Sequence, residues 1–244
     1  MKNLFLGVFG FVSILISAQN QIKVVYDAQP YYNSADKNLA GFEMNFLNSN
    51  YELITDSNES RFEYVEKIRN EQPTQAGGMM MTVEMSSSGP LYKNFSENLI
   101  LEETNFDGKP YLIKDVLPEI DWQISRETKE VAGFTTQKAT AVLADKNKTR
   151  LTAWYAPKLN FKNGPDKFWG LPGLILELET HIDYDDGGSE GSVYKAIKVE
   201  VIAKNQKIKR PSKGVEVNQA DFDKMTEEYN KKMMEMYDGG VDKD

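Results

Sequence analysis

Residues 154–179 read WYAPKLNFKNGPDKFWGLPGLILELE, and this stretch is the densest run of conformational signals in the chain. Gly164-Pro165, then Gly170 with Pro172-Gly173, surround an aromatic pair, Phe168-Trp169. Proline restricts the residue before it, so Pro172 holds Leu171 extended. Gly170 and Gly173 admit positive φ or the close approach of another segment. Leu174, Leu176 and Leu178 then alternate with Ile175, Glu177 and Glu179, which reads as entry into a strand. One reading is structural: a tight aromatic turn plugs one end of a sheet and feeds its next strand. The other is functional: Trp154, Tyr155, Phe168, Trp169 and Leu171 line a groove or docking edge for a lipid, peptide or protein. In that case Gly164, Pro165, Gly170, Pro172 and Gly173 are its framework.

Working outward, short alternating runs recur on both sides of the motif. Ile22–Tyr26, Tyr51–Thr55, Arg61–Val65, Leu91–Glu102, Pro110–Ile113, Thr149–Tyr155 and Tyr194–Ile202 all read as strands. Residues 29–40 and the Gly-rich stretch 183–192 read as loops, and about 70–90 as a long loop without either period. The tail differs. Phe222, Met225, Tyr229, Met233 and Met236 fall on steps of three and four, which predicts a helix over about 219–238. Asn218 is its expected N-cap, and the apolar stripe predicts packing across the sheet. The fold expected is therefore mainly β (α+β): a curved antiparallel sheet or half-barrel with a C-terminal helix.

The N-terminus reads MKNLFLGVFGFVSILISAQ, with Lys2 ahead of an uncharged apolar run that ends at Ser17-Ala18. The run is shorter than the roughly 20 residues a membrane span needs, and its layout is that of a secretory signal peptide. The expectation is a signal peptide over 1–18 and one β-rich domain over 19–244. The product would be exported, in the periplasm or secreted, with no transmembrane span after cleavage.

Composition removes several chemistries. The 244 residues include no Cys and one His, so thiolate nucleophiles, Fe–S clusters, Cys-zinc sites and His-rich metal sites are excluded. A net charge of −8 argues against nucleic acid as the default partner, since phosphate binding needs a basic face. There is no Walker loop, G-x-G-x-x-G, G-x-S-x-G or H-E-x-x-H. The single His181 stands at a strand end without a motif partner. Asp183, Asp185 and Asp186 form a weak calcium candidate, but Gly187 falls at position 5 of an EF-hand alignment that begins at Asp183, so the match fails. Met79-Met80-Met81 lacks the His or Cys that usually completes a Cu(I) site. No cofactor and no metal are expected.

Gly170-Leu171-Pro172-Gly173-Leu174-Ile175 resembles the signature of the GLPGLI family, also called Porph_ging, exported proteins of certain Gram-negative bacteria. The likeness extends to Trp122, Glu127-Thr128-Lys129, Gly133-Phe134, Lys138-Ala139, Arg150, Ala153-Trp154-Tyr155, Gly164-Pro165 and Phe168. It implies export and carries no biochemical activity. Where the family often has Cys after its Gly-aromatic pair, this chain has Thr135 and Thr136. The strand pattern is also similar to that of lipoprotein carriers, whose curved sheet holds an acyl chain. The function expected is a non-enzymatic envelope protein that binds an apolar ligand or a partner (lipid, peptide or envelope protein) on its concave sheet. The alternatives are a carboxylate-dependent hydrolase, or an assembly protein pairing through a sheet edge around Gly170–Ile175.

Overall fold

The computed structural model describes residues 21–35, 49–66, 89–203 and 206–238. The segment 1–18 read as a signal peptide, the run Met79–Met81 and nearly all of the stretch 70–90 read as a loop lie outside these residues. Twelve strands form one open sheet: β1 (Ile22–Asn33), β2 (Ser49–Thr55), β3 (Glu59–Val65), β4 (Leu91–Asn94), β5 (Leu99–Phe106), β6 (Lys109–Asp115), β7 (Gln123–Val131), β8 (Phe134–Val142), β9 (Arg150–Ala156), β10 (Leu174–Asp183), β11 (Ser189–Val201) and β12 (Val215–Val217). Helix α1 (Gln219–Asp238) follows. Strand order is β12-β6-β5-β4-β3-β2-β1-β11-β10-β9-β8-β7. Every pairing is antiparallel except β12 with β6, which is parallel.

The connections demand curvature. Ten inter-strand steps separate β6 from β7, a distance of about 48 Å in a flat sheet. The chain from Asp115 to Gln123 reaches at most about 28 Å when fully extended. A flat sheet is therefore impossible, and the link crosses the concave side as a chord. The expected mainly-β curved sheet is what forms, and it does not close.

Register places Val24, Leu53 and Phe62 on the concave face, together with Ala139, Ala153, Leu178 and Tyr194. The chain between β9 and β10 covers this face. Its Leu159, Phe161 and Leu174 pack on Ile22, Val24, Leu53 and Phe62. Phe168, Leu171 and Ile175 pack on Ala139, Leu151, Ala153 and Leu178. Each such apolar side chain contributes roughly 1.5–3 kcal/mol on burial. On the convex side, the segment 206–214 straps β2–β6. Ile208 is buried among Tyr92, Leu99, Leu101 and Leu112, and Arg210 pairs with Glu97 at 3.0 Å.

Three differences from the sequence reading have physical causes. Leu91–Glu102 is two strands, because Asn98 turns with φ 50° between β4 and β5. The loop expected at 29–40 begins later, since β1 runs on to Asn33 against β11. The helix forms over 219–238, and Asn218 Oδ1 accepts from Asp221 N–H at 2.8 Å as its cap. However, it does not pack across the sheet. Phe222 and Tyr229 hold it against Phe106 and Tyr111 of the β5–β6 hairpin, with centroids 5.1–5.8 Å apart. Beyond them, Met234 and Met236 are exposed.

Phe222→Ala removes the ring that touches both Phe106 and Tyr111. Hydrogen exchange should then show fast exchange along α1 with β5 and β6 still protected. Unchanged protection of α1 would contradict this attachment.

Candidate functional site

The motif builds an interior plug. Asn163 is fully buried; its side-chain amide donates to Thr55 Oγ1 at 3.0 Å and its Oδ1 accepts from Gly164 N–H at 2.9 Å. The Gly170 amide bonds Lys162 O, and Leu174 and Ile175 amides bond Leu159 O and Asn163 O. Tyr26, from the sheet beneath, donates its hydroxyl to Ile175 O at 2.6 Å. Gly173 has no substitute here, because a Cβ would collide with the Ala156 carbonyl. The two tryptophans tie the plug to the chord. Trp169 Nε1 donates to Pro118 O at 2.8 Å, and Trp122 Nε1 donates to Trp169 O at 2.8 Å. Phe95 stacks on Trp169 with centroids 5.6 Å apart.

Beneath the loop lies Lys93 of β4, fully buried. Its ammonium carries three donors, and three backbone carbonyls receive them: Gly164 at 3.1 Å, Asp166 at 2.5 Å and Phe168 at 3.3 Å. Asp166 adopts φ 51°, a left-handed turn that Asp tolerates. A buried charge costs several kcal/mol unless it is paired and bonded. Burial pushes the Lys93 amine down to about 7, while the Asp166 charge pulls it back up.

The motif residues thus separate by role. Tyr155, Phe168 and Leu171 are buried, and Gly164, Pro165 and Gly173 lie within the plug. Trp169 is half-buried between Phe95 and the chord. Trp154 lies on the face of β9 opposite Tyr155. Its ring is covered by Lys129 Nζ at 4.3 Å from the centroid, and Lys129 pairs with Glu177 at 2.6 Å. The concave face expected to hold an acyl chain is occupied by the protein's own loop. The sheet edges also lie elsewhere: β10 pairs with β9 and β11, so Gly170–Ile175 presents no free edge strand, and the free edges are β7 and β12.

Open volume and polar chemistry meet on the outer face of β7–β10. A groove of about 420 Å³ is lined by Gln123, Thr140, Val142, Arg150, Thr152, Glu179 and His181, with the backbone of Ala141 and Leu151 beneath. His181 Nε2 lies 2.9 Å from Asp183 Oδ1. A carboxylate only accepts, so Nε2 carries the proton, and Nδ1 faces the Tyr31 hydroxyl at 2.7 Å. Tyr31 reaches His181 from β1 across β11 because the intervening residue is Gly191; a Cβ there would come within 2.5 Å of the Tyr31 hydroxyl. Asp183 also contacts Arg150. The His181 hydrogen bond, helped by Arg150, holds the Asp183 carboxyl below its usual range, so it is a fixed anion. Burial and Glu179 push Tyr31 up to about 12, so its hydroxyl keeps its proton.

The calcium candidates diverge. Asp183 is committed to His181 and Arg150, and Asp186 Oδ1 accepts from Gly188 N–H at 2.8 Å. Among the described residues no three His, Asp or Glu side chains gather around a point fit for a metal ion. Sequence reasoning missed Lys93 and the Tyr31–His181 pair. The first sits in a four-residue strand, Leu91–Asn94, too short for a pattern to set it apart from a surface lysine. The second depends on Gly191 standing between Tyr31 and His181, which lie two strands apart, and only register reveals that.

Lys93 makes a test of the plug. Between pH 7 and the ordinary lysine value of 10.5, the unfolded chain holds a proton that the folded one has released. Stability therefore rises with pH over that window, by at most ~1.4 kcal/mol per unit. Denaturant unfolding at pH 7 and 9 should show this rise in the wild type and not in Lys93→Met. The variant should also lose about 3 kcal/mol at pH 7, as three carbonyls lose their donor. Parallel pH profiles for the two proteins would contradict the assignment.

The family model described as "Protein of unknown function (Porph_ging)" matches residues 143–177, from the end of β8 through the plug into β10. None of the curated proteins matches the chain. Two solved structures of PNGF-II, in space groups C2 and P21, are similar with TM-score 0.53 and 17% identity over 84% of this chain. The matched regions are 32% and 33% of those chains, so this protein spans about a third of their length and the likeness shows the fold alone. The signature read in Gly170–Ile175 is accordingly a match to the Porph_ging family of unknown function over residues 143–177, the stretch that forms the plug.

Proposed function

We propose that the protein is an exported, non-enzymatic envelope protein whose ligand or partner is taken on the outer face of β7–β10. The observation that carries this reading is the division of the two faces. The concave side is filled by residues 159–175, whereas the outer groove of about 420 Å³ stays open and gathers Arg150, Thr152, Glu179 and His181. Trp154 lies on the same face of β9, two residues from Thr152, partly buried and covered by Lys129. Of the aromatic residues the sequence singles out, it is the one on the groove's side of β9. Export rests on the N-terminal sequence and the family resemblance. Among the described residues no helix is long and apolar enough to cross a membrane.

Two features favour binding over acid–base catalysis or edge assembly. Asp183 stays ionised beside His181, so it supplies a fixed charge and no transferable proton. Free edge β7 carries Arg126, Glu127, Lys129 and Glu130, and its register with β8 is broken between Ile124 and Thr128. Charges and irregularities of this kind discourage strand addition.

Native mass spectrometry of protein purified from its own cells should show a bound species on the wild type. Thr152→Trp, which fills the groove, should lose it while unfolding at the same temperature. A wild type that flies empty, or a species retained by Thr152→Trp, would overturn the assignment.

A further inference from the structure

We infer that the groove receives a zwitterion, the ammonium and carboxylate of an amino acid or short peptide, with Arg150 taking the carboxylate and Asp183 the ammonium. This deepens the outer-face reading and rests on it. A second hollow of about 560 Å³ continues the groove and shares Val142 and Arg150 with it. Its two walls are hairpin ends of opposite charge. The β8–β9 turn contributes Lys146 and Lys148 beside Arg150, while the β10–β11 turn contributes Asp183, Tyr184 and Asp185. In a chain of net charge −8, three cations face two carboxylates across one trough. An anion alone meets Asp183 and Asp185, and a cation alone meets the lysines. A ligand with one charge of each sign satisfies both walls.

The Arg150–Asp183 pair bridges the walls, and both side chains are more than half exposed, at 55% and 56%. An ion pair this exposed contributes little to stability, because solvent screens it. Replacing it with the two ends of a ligand therefore costs little. Opening does not release the carboxylate, because His181 holds its other oxygen and Tyr31 holds His181. Tyr31 and His181 are thus positioning residues, and Gly191 is the gap that admits them. Tyr184, 38% exposed on the same wall, offers a ring to the ligand's backbone or side chain.

Amide chemical-shift titration of the whole protein with three probes tests this: dialanine, N-acetyl-dialanine and dialanine amide. Dialanine should shift Val142, Thr152 and Tyr184 saturably, and blocking either terminus should weaken binding at least tenfold. Arg150→Gln and Asp183→Asn should each cost dialanine at least tenfold, with thermal unfolding unchanged. Equal binding of the blocked probes would overturn the zwitterion, and dialanine binding insensitive to both substitutions would overturn its placement. A native bound species lost in Thr152→Trp, combined with no dialanine saturation, would refute the ligand class and leave the groove reading standing. Absence of both would refute the two together.

Discussion

The chord from Asp115 to Gln123 sets the architecture. A connection this short between strands ten places apart bends the sheet until its ends come within reach, and bending creates an interior. An interior lined by Val24, Leu53, Phe62, Ala153 and Leu178 must be filled, since apolar surface left open to water forfeits its stabilisation. The segment between β9 and β10 fills it. Because that filler is a loop rather than a helix or strand, its carbonyls have no ladder to join, and buried carbonyls need donors. Lys93 Nζ serves three of them at one point, and Trp122 and Tyr26 donate to those of Trp169 and Ile175, while Asn163 Oδ1 takes the Gly164 N–H. The signature sequence, in this light, is the solution to a packing problem that the chord creates.

Much of this was readable from the chain, for reasons tied to particular residues. Period-2 alternation marked most strands, because their side chains face a core on one side and water on the other. The 3.6 period marked α1, and Asn218 marked its start. Two elements escaped. Val215–Val217 is a three-residue parallel strand, too short to carry a period. The division at Asn98 depends on a left-handed turn, which leaves little trace in apolar patterning. The extent of α1 was legible while its partner was not: a stripe of Phe, Tyr and Met says that a helix has an apolar face, and only the fold says that Phe106 and Tyr111 cover the first part of it.

The site was less legible than the fold. Trp154, Phe168 and Trp169 stand within 16 residues of one another, yet the fold assigns them to different environments. Alternation along β9 sends Trp154 outward and Tyr155 inward, and the plug draws Phe168 into the core. Conversely, Tyr31, Arg150, His181 and Asp183 are scattered over more than 150 residues and meet because β1, β11, β10 and β9 are neighbours in the sheet. Strand order, which no local pattern encodes, decides what chemistry comes together. The same strand order leaves an interior closed by its own sequence and an exterior where charges of both signs converge.

Native-state hydrogen exchange is the most direct check on the filled interior. The amides of Phe168, Gly170, Leu174 and Ile175, bonded to Pro165, Lys162, Leu159 and Asn163, belong to the plug. They should exchange only through global unfolding, at the same free energy as the central strands β1 and β10. Exchange through local opening, several kcal/mol below that limit, would show that the loop is a lid over the sheet and not part of its core.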